Sequence, residues 1–401
     1  MQETSTGPAT ILQFRQDVEA QFRRHIREAL EVSLAEELAS ALGSGRHERT
    51  DDRRGYRNGT MERTITTADG TRRVTVPRGR IAGPEGTTTE FRSQLLPRYA
   101  RRTRDIDDAI LGCYLGGINS RRIRTALKPL LGTASLSKSA VSRIVGRLKA
   151  LFATWQSRDL SAERYPIVFL DGVRLKVRMA RRVVSVPVLA ALGVTESGQK
   201  CLVTLRVAVS EATGSWGAVV TDLQQRGLAA PLLLVIDGNA GLQHALKAWD
   251  GVRVQRCATH KLENLKTHCP EHARAEMKGD YDRVICASDG LAARAAYDAF
   301  RKKWSRLCPA VAKSLDEAGL ELLTFYDFPP ATWKSIRTTN TLENLNREFR
   351  RRTKTQASFG TEAAALTVLY GLVAFGQIQL RKIDGYKQLP SFLAKEWQNV
   401  A

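Results

Sequence analysis

The chain has 401 residues, 43% of them hydrophobic, and a net charge of +21 from 62 Lys and Arg against 41 Asp and Glu. That length supports two or three domains with buried cores, and so basic a surface seeks polyanions. Six scattered cysteines exclude a disulfide-stapled secreted mini-domain; MQETSTGPAT lacks a signal-peptide pattern and the longest apolar segment, Ala363 to Gly376, is too short for a bilayer, so a soluble cytoplasmic protein with no membrane partner is expected.

Residues 11–42 carry apolar side chains at helical spacing, including Val18, Phe22, Ile26 and Leu30, and stop at Gly43, which predicts one or two amphipathic helices over 1–45. The charge then turns: residues 46–149 hold 23 basic and 10 acidic side chains, +13 of the total. Over 46–100 the alternating segments RTITTA and RRVTVPRGR flank Asp69-Gly70, a hairpin signal. Arg72, Arg73, Arg78 and Arg80 make this either a basic, DNA-facing ribbon or a solvated strand face. Over 101–150 three helical stretches follow, and the last two, joined by a Gly-containing turn, resemble a helix-turn-helix. In that reading Arg121, Arg122, Ser137, Ser139, Ser142, Arg143 and Arg147 face DNA; a helical pair with a polar face is the alternative.

From residue 164 the pattern changes to strands: PIVFLDG, RVVSVPVLAALGV and KCLVTLRVAV. A helix (SWGAVVTDLQQRGL), a strand (PLLLVIDG), a helix (AGLQHALKAW) and a strand (VRVQRC) follow. That order predicts an α/β domain of ribonuclease-H-like type over 151–260 and 331–385. It is split by a helical insertion over 261–330, in which Trp304 is expected in the core. The N-terminal helical and β-hairpin regions would precede it as DNA-binding parts.

Asp171 and Asp237 each end an apolar run and precede a glycine, so both are expected at the tips of neighbouring buried strands. Glu343 starts a helix on which Leu342, Leu345 and Phe349 mark the buried side, while Asn346, Arg347 and Arg350 share a face with Glu343 that can border a site. Two strand-borne aspartates and a helix-borne glutamate can hold two Mg²⁺ (or Mn²⁺) ions roughly 4 Å apart and act on a phosphodiester. The competing reading of Glu343 is a capping box with Asn340, in which case Glu348 becomes the third acid. Arg350, Arg351, Arg352 and Lys354 suit a phosphate-backbone grip or a solvated helix end. Cys257 and His260 form Cys-x-x-His, and Cys269 with His272 repeats it. A zinc site is arithmetically available, although eight intervening residues are fewer than a finger linker uses; the other reading packs Cys257 and His260 beside the acids.

These motifs together resemble the bacterial insertion-sequence transposases of the Mutator-like superfamily, of the insertion sequence 256 type. The resemblance runs through VPRGR, GGINSRRI, SKSAVSRI, FLDGVRLKVR, VIDGNAGLQHAL, QRCATHKLENL and SIRTTNTLENLNREFRRRTK, nearly the whole chain. It implies Asp171, Asp237 and Glu343 as a metal-binding catalytic triad, with Cys257 and His260 as the family's Cys-or-Asp-x-x-His signature. It also implies Mg²⁺-dependent cleavage and strand transfer of duplex DNA at terminal inverted repeats, by a homodimer or larger synaptic complex. Asn344 and Glu263 stand where the family commonly has Arg, and Asn239 departs from its usual stretch. The rivals are a ribonuclease-H-like nuclease without strand transfer and a non-catalytic, domesticated DNA-binding regulator.

Overall fold

Leu34, Leu38 and Leu42 recur every fourth residue and are fully buried, and this spacing makes one face of α1 (Pro8–Leu42) an apolar surface. It packs on a hairpin of β1 (Gly55–Thr67) and β2 (Gly70–Ala82), whose Ile65, Val74 and Val76 join Leu34 and Leu96 in one cluster. A short β3 (Thr88–Glu90) completes a three-stranded sheet in the order β1-β2-β3. One helix precedes the ribbon; its predicted apolar positions Val18 and Ile26 are exposed, Leu30 packs against the cluster on the hairpin, and the side chain of Phe22 lies outside the described residues.

The structure is a computed structural model and describes residues 8–67, 70–118, 120–131, 136–179, 182–208, 213–238, 242, 249, 251–354 and 359–398. The turn residue Asp69, the Gly132 turn, Asn239, the side chain of Arg121 and most of the helix expected over AGLQHALKAW lie outside the described residues. The chain divides into two units, Met1–Tyr114 with Ile118–Val145, and Leu115–Gly117 with Gly146–Ala401. Helices α2 (Arg104–Leu115), α3 (Ser120–Ala126), α4 (Lys128–Leu131) and α5 (Lys138–Gln156) follow the first sheet. The stretch SRRIRTALKPLL is thus two short helices rather than one. Ser137 accepts from Ala140 N at 3.2 Å and secures the start of α5.

The second unit is built on a five-stranded sheet. Its strands β4 (Ile167–Met179), β5 (Arg182–Val194), β6 (Lys200–Val207), β7 (Leu233–Ile236) and β8 (Arg253–Arg256) lie in the order β6-β5-β4-β7-β8. β4 is antiparallel to β5 and parallel to β7, and β7 is parallel to β8. The central parallel strand β7 is apolar on both faces, as a strand buried on both sides must be, whereas the edge strand β8 carries Arg253, Gln255 and Arg256. Trp216, Val219, Val220 and Leu223 of α6 (Thr213–Gln225) cover one face beside Val168, Leu170, Leu234 and Ile236.

One expectation is corrected. Asp171 is not at a strand tip: β4 continues eight residues beyond it, paired with β5 all the way to Met179, because Val173, Leu175 and Val177 alternate with exposed Arg174, Lys176 and Arg178 in a half-buried antiparallel arm.

After β8 come α7 (Ala258–His268), α8 (Arg274–Ile285), α9 (Gly290–Leu307) and α10 (Pro309–Ala318), which share a core with Met277, Tyr281, Phe300 and Trp304. Trp304 is buried and donates its indole N–H to Asp280 at 3.0 Å. The chain then returns through α11 (Trp333–Ile336) to α12 (Asn340–Thr353), which packs on β4, and ends with α13 (Glu362–Ala374) and α14 (Leu389–Gln398). The whole is a mixed α/β protein with two sheets, and no helix among the described residues is long and apolar enough to cross a membrane.

Candidate active site

Register brings the two aspartates together. Leu170 pairs with Ile236 across the parallel β4–β7 ladder, so the next residues along each strand, Asp171 and Asp237, stand side by side where β7 ends, about one strand spacing of 5 Å apart. Gly238 turns the chain at φ +92°, and a Cβ there would meet the Arg256 guanidinium at 2.1 Å, so this turn takes glycine for its conformation and for space. Arg256, paired with Ile236 on β8, is only 2% exposed, and its Nη2 donates to Glu317 of α10 at 2.9 and 3.1 Å. The ammonium of Lys261, equally buried, donates to the same carboxylate and to Ser314 O.

The third acid comes from α12. Thr339, fully buried, precedes the helix, and its hydroxyl donates to Glu343 Oε1 at 2.7 Å. The expected capping box is absent in that form, because Asn340 lies inside the helix and Glu343 turns to Thr339. Thr339 also reaches Cys257, with its backbone N at 3.3 Å and Oγ1 at 3.2 Å from Sγ, and lies 3.3 Å from His260 Nδ1. A hydroxyl has one proton, and the shortest contact is to the carboxylate, so Thr339 donates to Glu343. Farther along α12, Asn346 Nδ2 donates to Asp171 Oδ2 at 2.9 Å and ties the helix to β4.

The charges follow from this packing. Burial first, then the charge of Asp237, pushes the Asp171 carboxyl up to about 7, against the Gly172 N–H and His260, while Glu343 adds to the rise. His260 is pushed up to about 9 by its hydrogen bond with Cys257; burial opposes this, and Cys257, Glu343 and Asp237 add to it. Burial raises the Cys257 thiol, but hydrogen bonds with His260 and Thr339 outweigh it and leave the thiol below its ordinary value. Asp171 and Asp237 offer the hard oxygen ligands that Mg²⁺ or Mn²⁺ prefer, and a divalent cation would relieve their mutual repulsion.

Cys257, His260 and Glu343 also bring ligand atoms within 4.8 Å of one another. Their mutual neighbour is the Thr339 hydroxyl, within hydrogen-bonding reach of all three. The four-ligand zinc arrangement does not assemble, since Cys269 and His272 follow the far end of α7, whose 11 residues span roughly 16 Å. Cys269 is packed in the core of the insertion instead. Glu348 is engaged elsewhere, with Arg351 at 2.7 Å and Arg352 at 3.7 Å.

The expected DNA-facing residues are spread over both units. Arg122, Ser139, Arg143, Arg147, Arg347, Arg350, Arg351 and Lys354 are exposed, and Arg352 is half-buried. Arg73 and Arg78 each have an acidic neighbour, Glu62 at 3.9 Å and Glu90 at 3.7 Å, while Arg80 donates to Thr88. Arg72 and Arg73 line a cleft of about 430 Å³ with Arg24 and Arg27 of α1. Thr339, Arg256 and Glu317 were not legible as site residues, because each has a partner dozens of positions away, and Arg24 and Arg27 because the other arginines of their cleft come from β2.

The family described as "Transposase, Mutator family" matches residues 3–378. The chain is similar to the transposase for insertion sequence element IS406 of Burkholderia multivorans, at 33% identity over 86% of this chain and 89% of the relative. It is also similar to the transposase for insertion sequence element IS905 of Lactococcus lactis (31%, covering 91% of each), and to that for IS256 in transposon Tn4001 of Staphylococcus aureus (30%, covering 80% of each). With a family match along nearly its whole length and relatives aligned across most of theirs, the chain belongs to the Mutator family of transposases.

Proposed function

We propose that the protein is a DNA transposase that cuts and joins DNA ends at terminal inverted repeats, with Asp171, Asp237 and Glu343 as its catalytic acids on a ribonuclease-H-like core. The observation that carries this reading is the parallel register of β4 and β7, which sets the two aspartates side by side beneath the helix bearing Glu343. The strand order, with the third, second, first, fourth and fifth strands of the unit adjacent in that sequence, is the arrangement such a core requires.

Asp171 and Asp237, with Glu343, would hold Mg²⁺ or Mn²⁺. A cation bound there supplies Lewis-acid polarisation of a phosphodiester and activation of water or a DNA 3′-hydroxyl. The chain's own groups prepare the site. Asn346 fixes one oxygen of Asp171, and the Thr339 hydroxyl restrains Glu343. His260 carries positive charge at neutral pH beside the carboxylates, where a phosphate would lie. No covalent bond to protein is needed. The basic first unit, with Arg72, Arg73, Arg78, Arg80, Arg121, Arg122, Ser139, Arg143 and Arg147, would hold the repeats, and two copies would join two ends in a homodimer or larger synapse.

Strand transfer tests the reading. The full chain, given a duplex taken from the ends of its own element, should nick and join DNA in Mg²⁺ or Mn²⁺ and stop in EDTA while still binding. Cleavage without joining would make the protein a nuclease. Binding with no reaction in either metal would make it a DNA-binding regulator.

The arginines at the end of α12 give a separate prediction. Arg351→Ala combined with Arg352→Ala should weaken DNA binding and lower the slope of log affinity against log salt by about 1 to 2, one per lost phosphate contact. An unchanged slope in a salt titration would assign both arginines to Glu348 alone.

A further inference from the structure

Asn346 lies one turn beyond Glu343 on α12, on the buried side with Leu342, Leu345 and Phe349. It is 1% exposed, and its Nδ2 donates to Asp171 Oδ2 at 2.9 Å. With its nitrogen on Asp171, the amide turns its oxygen away. That oxygen, Oδ1, is buried and has no hydrogen-bond partner among the described residues. Buried acceptors without a donor are uncommon in folded proteins because they lose their water for nothing in return. An apolar residue of the same size would pack on this face without that cost.

A ligand bound at the neighbouring acids can bring the missing donor. Mg²⁺-type cations give up their hydration reluctantly and keep several waters when carboxylates hold them. Those waters need acceptors in the surrounding shell, and such outer partners orient the ligands. We propose that Asn346 is a positioning residue of the acid site: one end of its amide fixes Asp171, and the other accepts a hydrogen bond from a water carried in by the hydrated divalent cation. This rests on the cation-binding reading of Asp171 and Asp237. It joins α12 to the cation through two different atoms of one side chain, so that Glu343, three residues earlier on the same helix, is positioned with it.

The test uses the full chain without DNA. Free Mn²⁺ is followed by its electron paramagnetic resonance signal during titration of wild type, Asn346→Ala and the nearly isosteric Asn346→Leu, with Asp171→Asn as reference. Melting in EDTA is recorded for each. Both Asn346 variants should bind Mn²⁺ about tenfold more weakly, while the leucine variant melts within a few degrees of wild type. Wild-type affinity in a folded leucine variant would overturn the proposal and leave Asn346 as a tie between helix and strand. If wild type takes up no Mn²⁺, or Asp171→Asn takes it up equally well, the cation-binding reading itself fails and the proposal falls with it.

Discussion

Replacing Asp171 with asparagine is expected to remove strand transfer, by roughly 10³-fold or more, and at the same time to make the metal-free protein more stable. The two effects have one cause. Burial and the neighbouring Asp237 hold the Asp171 carboxyl up to about 7, whereas in the unfolded chain it titrates near pH ~4. Between those values the folded protein binds the extra proton. Stability from this group therefore falls as pH rises through that window, and the full cost of a charged Asp171 is present above it. A neutral amide avoids the cost, so the gain from Asp171→Asn should be small near pH ~4 and on the order of 2 kcal/mol at pH ~8 in EDTA. Urea unfolding at the two pH values reads the difference. A variant no more stable than wild type at the higher pH would show that Asp171 is not strained against Asp237, and one that still joins DNA would remove Asp171 from the chemistry. Asp237→Asn and Glu343→Gln should lose strand transfer to a similar extent.

The second large effect lies at Glu317, about 20 residues before α12. Arg256 and Lys261 are each 2% exposed, and both donate to this one carboxylate, which is itself about half exposed. The nearest alternative, Glu321, stands 3.9 Å from Arg256. Two buried cations sharing one anion make that anion far more valuable than a surface ion pair, because removing it leaves charge in the interior with no compensation. Glu317→Ala should cost about 3–5 kcal/mol, measured by urea unfolding of the full chain. A loss below about 1 kcal/mol would mean that Glu321 or water replaces it. Since Arg256 also packs under Gly238, the same variant should loosen the turn that carries Asp237.

What could be read from the chain alone divides along physical lines. The short apolar runs ending at Leu170 and Ile236 read as strands because a sheet covered on both faces buries consecutive apolar residues, and the helix bearing Glu343 announces itself through Leu342, Leu345 and Phe349. The arm of β4 beyond Asp171 was equally legible in the alternation of Val173, Leu175 and Val177 with basic residues, but Gly172 reads as the end of a strand. Thr339 looks like any residue before a helix, and its importance comes from Cys257, 82 positions earlier. Nor could local pattern pair Arg256 with Glu317, 61 positions later, or reveal that the first half of α1 keeps Val18 and Ile26 in solvent.

The unbroken pairing of β4 with β5, thirteen residues from Ile167 opposite Val194 to Met179 opposite Arg182 without a bulge, has a consequence for how such a chain can diverge. In a strand, sliding the pairing by one residue turns every side chain to the opposite face. The irregularity in this part of the sheet lies on the other edge of β5, between Ala191 and Leu192 against β6, where it leaves the β4 register untouched. Exchange of side chains along the arm is therefore compatible with Asp171 facing Asp237. A single-residue insertion or deletion within β4 that shifts Asp171 against β5 is not, so lineages of this fold are free to vary the arm's composition but not its phase.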